Sequence, residues 1–112
     1  MTLHAQVAAL LERAARSPLP ADHTVPAHGA RRIYRDTRAA LAPKAAELAE
    51  VRLHVFGNAL AVRAYRPVKG EALPALVFFH GGGWTIGDLD THDALCRQLS
   101  LGARCAVFSV DY

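Results

Sequence analysis

A chain of 112 residues is long enough for one domain or part of one, and it can bury a hydrophobic core. Its composition, 52% apolar and 21% charged, is that of a soluble globular protein. The net charge of +3 comes mainly from arginines spread along the chain without interleaved aromatic residues, which argues against a nucleic-acid partner.

The cysteine spacing and the apolar runs bear on the compartment. Cys96 and Cys105 form neither a CxxC pair nor a metal framework, and they predict free thiols in a reducing environment. The N-terminus lacks the apolar core of a signal peptide, and no run approaches the roughly 18 apolar residues of a membrane span. The sequence therefore predicts a cytoplasmic protein with no membrane partner.

The first 50 residues predict helices. Thr2 is a candidate cap for a first helix, which the proline-containing run 17–20 ends. A second helix is predicted over about residues 26–41, and Pro43 interrupts it before a possible helical turn at 45–50. The apolar residues of the first helix recur at helical spacing: Leu3, Val7, Leu10, Leu11 and Ala14.

Strand patterns begin at Val51. Alternating runs on either side of Gly57-Asn58 predict a β-hairpin. The continuous apolar run Ala75–Phe79 predicts a strand buried on both faces, and a last strand is predicted over 106–110.

A third helix is predicted between those last two strands. Asp90 or Thr91 would cap it, Asp93 would lie in its negatively charged first turn, and it would end near Gly102. Strand, helix and strand then form one crossover, the unit of a parallel sheet, so the predicted fold class is α/β.

The most informative residues are His80, Gly81, Gly82 and Gly83, directly after the third strand and before Trp84. Glycines present bare backbone N–H groups and let another group approach the main chain closely. Such a loop can bind the negative charge that develops when an ester is hydrolysed. A purely structural strand-to-helix turn is the alternative, although one turn does not require three glycines.

Two other chemistries fit the loop less well. A dinucleotide fingerprint counted from Gly81 meets Ile86 where the third glycine should be, and a phosphate loop meets Asp88 where lysine should be. His92 and Cys96 are four residues apart on one helix face, but zinc sites use three or four ligands. No metal and no cofactor is predicted.

The surrounding residues then resemble a known family. The segment FFHGGGWTIGDLDTHDALCRQLS, residues 78–100, is similar to the hormone-sensitive-lipase-like branch of the α/β-hydrolase esterases. The run VRAYRP at 62–67 and the terminal VDY at 110–112 resemble the same family, so the resemblance covers about residues 51–112.

The resemblance implies a function and a division of the chain. Family members hydrolyse carboxylic esters through a Ser-His-Asp/Glu triad. On this chain Gly82 and Gly83 would hold the oxyanion through their N–H groups, Gly81 would permit the close turn, His80 would anchor the loop, and Trp84 would border the pocket of a small-molecule ester. The resemblance makes 1–50 a helical cap segment and 51–112 the N-terminal part of the α/β-hydrolase domain.

The triad itself has no counterpart in this sequence. In the family the G-x-S-x-G elbow, the acid and the histidine follow the VDY segment, whereas Ser100 lies at a predicted helix end and Ser109 inside a predicted strand. We therefore expect the N-terminal part of a larger esterase, inactive and aggregation-prone by itself, with Ala75–Phe79 as an unpaired apolar edge. A non-catalytic small-molecule receptor of the same fold, as the gibberellin receptors are, is the alternative function.

Overall fold

The computed structural model describes residues 2–17, 20 and 24–112. The elements follow the predicted order, two helices, a strand pair, and then a strand, a helix and a strand. Their bounds are α1 Ala5–Ala15, α2 Ala27–Leu41, β1 Glu50–Phe56, β2 Leu60–Arg66, β3 Ala75–Phe79, α3 Asp93–Gly102 and β4 Ala106–Asp111. None of the helices in this described part has the length and apolar character needed to cross a bilayer.

One mixed sheet organises the second half of the chain, with strand order β1-β2-β4-β3. The strands β1 and β2 form the predicted antiparallel hairpin, and β2 is also antiparallel to β4. The strands β3 and β4 are parallel, with Leu76 beside Val107, because α3 carries the chain back across the sheet. The predicted α/β class and the strand–helix–strand crossover are confirmed.

The core lies between the sheet and α3. Tyr65, Cys96, Cys105 and Val107 form its buried cluster, and both cysteines are free thiols. The register places Tyr65 of β2 opposite Val107 of β4, so the two side chains share the sheet face that α3 covers.

Both predicted helix caps are wrong. The residue before α1 is His4, whose Nδ1 accepts from the Gln6 N–H at 3.3 Å, so the cap lies two residues after Thr2. The residue before α3 is His92, which makes no side-chain cap bond. The hydroxyl of Thr91 instead accepts from the N–H of Asp88 and donates to the Asp88 carbonyl oxygen. This hydroxyl therefore stabilises the turn before α3 and does not cap the helix.

The predicted helical turn at 45–50 is also wrong. Residues 42–48 form no helix or strand, and Glu50 begins β1 opposite Arg66. Pairing across the hairpin satisfies the backbone of Glu50, and Leu48 packs against the core, so the segment leads into the sheet instead of forming a helical turn.

The third strand is not buried on both faces, contrary to the prediction. Val77 and Phe79 are 57% and 63% exposed, while Leu76 and Phe78 pack against the core. Within the described residues β3 has only β4 as a neighbour, and α3 covers only one face of the sheet. The expected unpaired apolar edge is therefore present in this structure.

Candidate active site

The glycine loop, residues 80–89, leaves the carboxyl end of β3 and leads towards α3. The end of β4 lies beside it, because the two strands are parallel and end at the same edge of the sheet. The hydroxyl of Tyr112 donates to the carbonyl oxygen of His80 at this edge. Open α/β sheets bind their ligands at the carboxyl ends of the strands, so the loop occupies the expected position for a site.

A tight turn shapes the glycines. The φ angles of Gly82 and Gly83 are +141° and +57°. The N–H groups of Thr85 and Ile86 both donate to the carbonyl oxygen of Gly82, at 3.0 and 2.9 Å. These two bonds fold residues 82–86 into one compact turn.

The backbone amides of Gly82 and Gly83 have no hydrogen-bond acceptor among the described residues. Gly83 is exposed and Gly82 is half-buried. Two adjacent N–H donors without acceptors, fixed by a closed turn, can receive a negatively charged oxygen.

The space around each glycine differs. A Cβ on Gly82 would collide with the carbonyl oxygen of Ile86, and one on Gly87 would lie 2.5 Å from the carbonyl oxygen of Gly81. A Cβ on Gly81 or Gly83 would meet nothing within 4 Å. Close packing of the backbone therefore requires glycine at 82 and 87.

His80 lies at the base of the loop and is only 5% exposed. Its ring stacks between those of Tyr112 and His92, with centroid distances of 4.4 and 5.6 Å. Its Nδ1 is 3.0 Å from the carbonyl oxygen of Gly81, and its Nε2 has no partner among the described residues. Burial, followed by the nearby His80, lowers the pKa of His92 below its usual value.

Comparisons with known proteins agree with the α/β fold of this chain. A family model described as alpha/beta hydrolase fold matches residues 76–112. The chain is 64% identical over 50 residues to the carboxylic ester hydrolase LipN of Mycobacterium tuberculosis, covering 45% of this chain and 13% of that protein. It is 37% identical over 124 residues to the ethyl acetate hydrolase of Pseudomonas putida, covering the whole chain and 39% of that protein.

A solved structure matches the fold over the full chain. The hyperthermophilic esterase of the archaeon Pyrobaculum calidifontis superposes with a TM-score of 0.88 at 30% identity, covering 100% of this chain and 37% of that one. This chain belongs to the hormone-sensitive-lipase-like branch of the α/β-hydrolase esterases. It spans less than two fifths of the length of each of these relatives.

Asp88 organises the far side of the glycine loop in this α/β-hydrolase chain. One carboxylate oxygen accepts from the N–H groups of Asp90 and Thr91, at 3.0 and 2.8 Å. The other accepts from Arg35 of α2, at 2.8 Å from Nε. Partial burial alone would raise the pKa of this carboxyl, but the Thr91 N–H and the Arg35 guanidinium hold the pKa below its usual value.

Trp84 in the loop is 89% exposed, the highest value among the exposed large hydrophobic residues of the described part of the chain. Its φ of +58° is unusual for a bulky residue and points to a local constraint. Trp84 is thus not part of the core formed by the described residues. It borders a cavity of about 280 Å³ that His80 and Tyr112 also line.

The serines that the sequence offered are structural. The hydroxyl of fully buried Ser100 donates to the carbonyl oxygens of Cys105 and Tyr65, at 2.9 and 3.4 Å. Ser109 is fully buried within β4.

Cys96, a candidate metal ligand together with His92, lies in the core, and burial raises the pKa of its thiol. Among the described residues no three His, Cys, Asp or Glu side chains converge on a metal position.

The arginines that reach this loop carry no signal in the sequence. Arg31 and Arg35 lie on a helix with no motif, and their partners are more than 50 residues away. Asp88 stands out in the sequence where a phosphate loop would have lysine and as one of several nearby acidic residues, and neither feature indicates its pairing with Arg35. The VDY segment was the one signal for Tyr112, whose ring covers His80.

Proposed function

We propose that this chain supplies the oxyanion hole of a carboxylic ester hydrolase. The observation that carries the proposal is the pair of N–H groups of Gly82 and Gly83, which lack acceptors among the described residues. The turn closed on the Gly82 carbonyl holds both donors in place before any substrate binds. Preorganised donors need no reorganisation as charge develops.

The expected reaction is acyl transfer to a serine. Histidine removes the serine proton, the serine oxygen attacks the ester carbonyl, and the carbonyl oxygen becomes an oxyanion. Gly82 and Gly83 would donate to that oxyanion, with a third donor from the residue after the serine. Each such donor contributes about 10²–10³ in kcat. The triad residues are those implied by the family, and residues 1–112 contain no G-x-S-x-G elbow.

The other site residues have supporting roles in this proposal. His80 anchors the loop through its buried, stacked ring, and Trp84 borders the pocket for a small-molecule ester. Gly81 joins the anchor to the donors without crowding either. Residues 1–50 form the cap, and the chemistry requires no cofactor.

A chimera tests the proposal. The whole of this chain aligns with one segment of the Pseudomonas putida ethyl acetate hydrolase. In the chimera, this chain replaces that segment of the hydrolase. We expect the chimera to hydrolyse ethyl acetate. We expect Gly82→Ala to lower kcat by about 10²–10³, because the new Cβ collides with Ile86 and displaces the donors.

Gly81→Ala is the matched comparison in the same turn. Its Cβ meets nothing within 4 Å, so we expect a loss in kcat of less than about tenfold. Equal activity of the Gly82→Ala chimera and its parent would contradict the oxyanion role. A folded chimera that binds an ester but does not hydrolyse it would favour the receptor function instead.

A further inference from the structure

Two arginines of α2 reach the far side of the glycine loop. Arg31 Nε donates to the carbonyl oxygen of Thr85 at 2.6 Å. Arg35 pairs with Asp88, with its Nη2 at 2.6 Å from Oδ2. The arginines are four residues apart, so they project from one helix face, and their partners bracket the two residues 86 and 87. We call this pair of contacts the arginine clamp.

The clamp holds the residues that shape the oxyanion donors. The N–H of Thr85 bonds to the Gly82 carbonyl, while the carbonyl of Thr85 receives Arg31. The carbonyl of Ile86, the next residue, occupies the space beside Gly82 where a Cβ would lie. A shift of residues 85–88 would therefore move Gly82 directly.

Asp88 joins the clamp to the start of α3. Its Oδ1 accepts from the N–H groups of Asp90 and Thr91, so the carboxylate is fixed on the loop side before Arg35 binds it. The Asp88 side chain is 18% exposed and that of Arg35 is 55% exposed. The carboxylate is thus a preorganised anchor, and the arginine is the movable partner.

We infer that Arg31 and Arg35 are positioning residues of the oxyanion loop, through which the docking of α2 sets the geometry of the Gly82 and Gly83 amides. The catalytic consequence rests on the function proposed above, whereas the effect on loop order does not. Neither arginine touches the reacting atoms in this role.

The same arginines could instead bind an anionic group of a substrate, since both line the cavity next to His80 and Trp84. Their existing contacts favour positioning. Both Nε atoms already donate hydrogen bonds to loop oxygens. One of the acceptors is the neutral carbonyl of Thr85, which needs a directed N–H donor and not only a positive charge.

Amide hydrogen exchange in the full chain tests loop order without reference to activity. We expect Arg31→Gln and Arg35→Gln to speed exchange at the Thr85 and Ile86 amides about two- to fivefold, the range for a lost exposed polar contact. Arg32→Gln is the matched control, because Arg32 lies on the same helix and makes no hydrogen bond or ion pair with the described residues.

Trp84 provides a second readout, since it is the only tryptophan of the chain. We expect the clamp variants to lower its fluorescence anisotropy, and Arg32→Gln to leave it unchanged. Arg35→Lys keeps one charged contact with Asp88 and should recover part of the loop order.

Kinetics of the chimera test the catalytic consequence. We expect Arg31→Gln and Arg35→Gln to lower kcat about two- to fivefold with KM nearly unchanged, since the amides act on the transition state. A rise in KM with kcat unchanged would overturn positioning and indicate substrate binding by the arginines.

The outcomes separate the two proposals. Unchanged exchange and anisotropy in both clamp variants would overturn the clamp, whatever the activity. Altered exchange together with a Gly82→Ala chimera of full activity would support the clamp as a device for loop order and overturn the oxyanion function.

Discussion

The glycine loop contains four glycines, and their individual surroundings decide what each one does. Gly82 and Gly87 lie where the backbone of another residue fills the place of a side chain. Gly83 needs glycine only for its φ of +57°, and Gly81 has neither constraint. The HGGG pattern therefore combines residues with different physical requirements, and Gly87 outside the pattern is also sterically required to be glycine.

Gly87→Ala should destabilise the chain. Its φ is +95°, and the new Cβ would lie 2.5 Å from the Gly81 carbonyl oxygen and from His80 Nδ1. We expect the free energy of unfolding to fall by about 1–3 kcal/mol from backbone strain, measured by urea denaturation followed by circular dichroism. Gly102→Ala is the control. It lies in α3 with open space around it, and the change should add about 0.5–1 kcal/mol. A stable Gly87→Ala protein would contradict the loop geometry.

Among the elements, the start of α3 is joined to β2 through the carboxylate of Asp93. Asp93 Oδ1 accepts from the Tyr65 hydroxyl at 2.8 Å and from Arg63 at 3.1 Å. Asp93 Oδ2 accepts from Arg97 at 2.7 Å, one turn further along the helix. Because α3 begins at Asp93, this network fixes where the helix starts and hence where the glycine loop must end.

The Asp93 network should make stability depend on acid. Burial alone would raise the pKa of Asp93, but hydrogen bonds from Arg97 and Tyr65 hold the pKa below its usual value. As pH falls, the carboxylate of Asp93 is therefore protonated in the unfolded chain before it is protonated in the folded chain. The contribution of the Asp93 carboxylate to the free energy of unfolding is present above about pH 5 and is lost as pH falls through the folded-state pKa.

Asp93→Asn isolates that contribution. We expect it to lower the free energy of unfolding by about 1–3 kcal/mol at pH 7, with the gap to the parent protein closing below about pH 4. Urea denaturation between pH 3 and 7 measures the loss of stability at pH 7 and the closing of the gap in acid. Asp36→Asn, on α2 and without a hydrogen bond or ion pair to the described residues, should change stability little. A gap that persists unchanged in acid would rule out the charge as its cause.

At the scale of the whole molecule, the edge of the sheet formed by β3 has no partner strand among the described residues, and the side chains on one side of that strand are exposed. The strand β3 has β4 on one side only, and its side chains Val77 and Phe79 point away from α3. An apolar strand edge without charge or proline invites pairing with another chain. The sequence-based prediction of association rests on this feature.

Val77→Lys should reduce that association. A charge in the middle of β3 opposes edge pairing, and Val77 is 57% exposed, so the fold should tolerate it. Sedimentation velocity at increasing protein concentration should show less association than in the parent protein. Leu101→Lys makes the same kind of change at an exposed position of α3 and should leave association unchanged. Equal association of all three proteins would exclude this edge as the contact.

Much of the fold could be predicted, because its signals are local. Alternation around Gly57-Asn58 indicates the hairpin, and the apolar run before the glycines indicates β3. The segment 45–50 could not be predicted, because the pairing of its last residue with the neighbouring strand decides its conformation. The cap residues could not be predicted, because several nearby polar side chains compete for the same backbone groups. His92 precedes α3 because Asp88 and Thr91 bond to each other, and Glu50 joins β1 because Arg66 lies opposite it.

The sequence by itself determined the family of this protein, the order of its elements and the place of the glycines between a strand and a helix. Only the tertiary structure decided which amides lack acceptors, which glycines are sterically required, and that Arg31 and Arg35 hold the loop. The physical reason is distance along the chain. A run of glycines or an alternating strand is a local pattern, whereas the clamp joins residues more than 50 positions apart, and only folding brings them together.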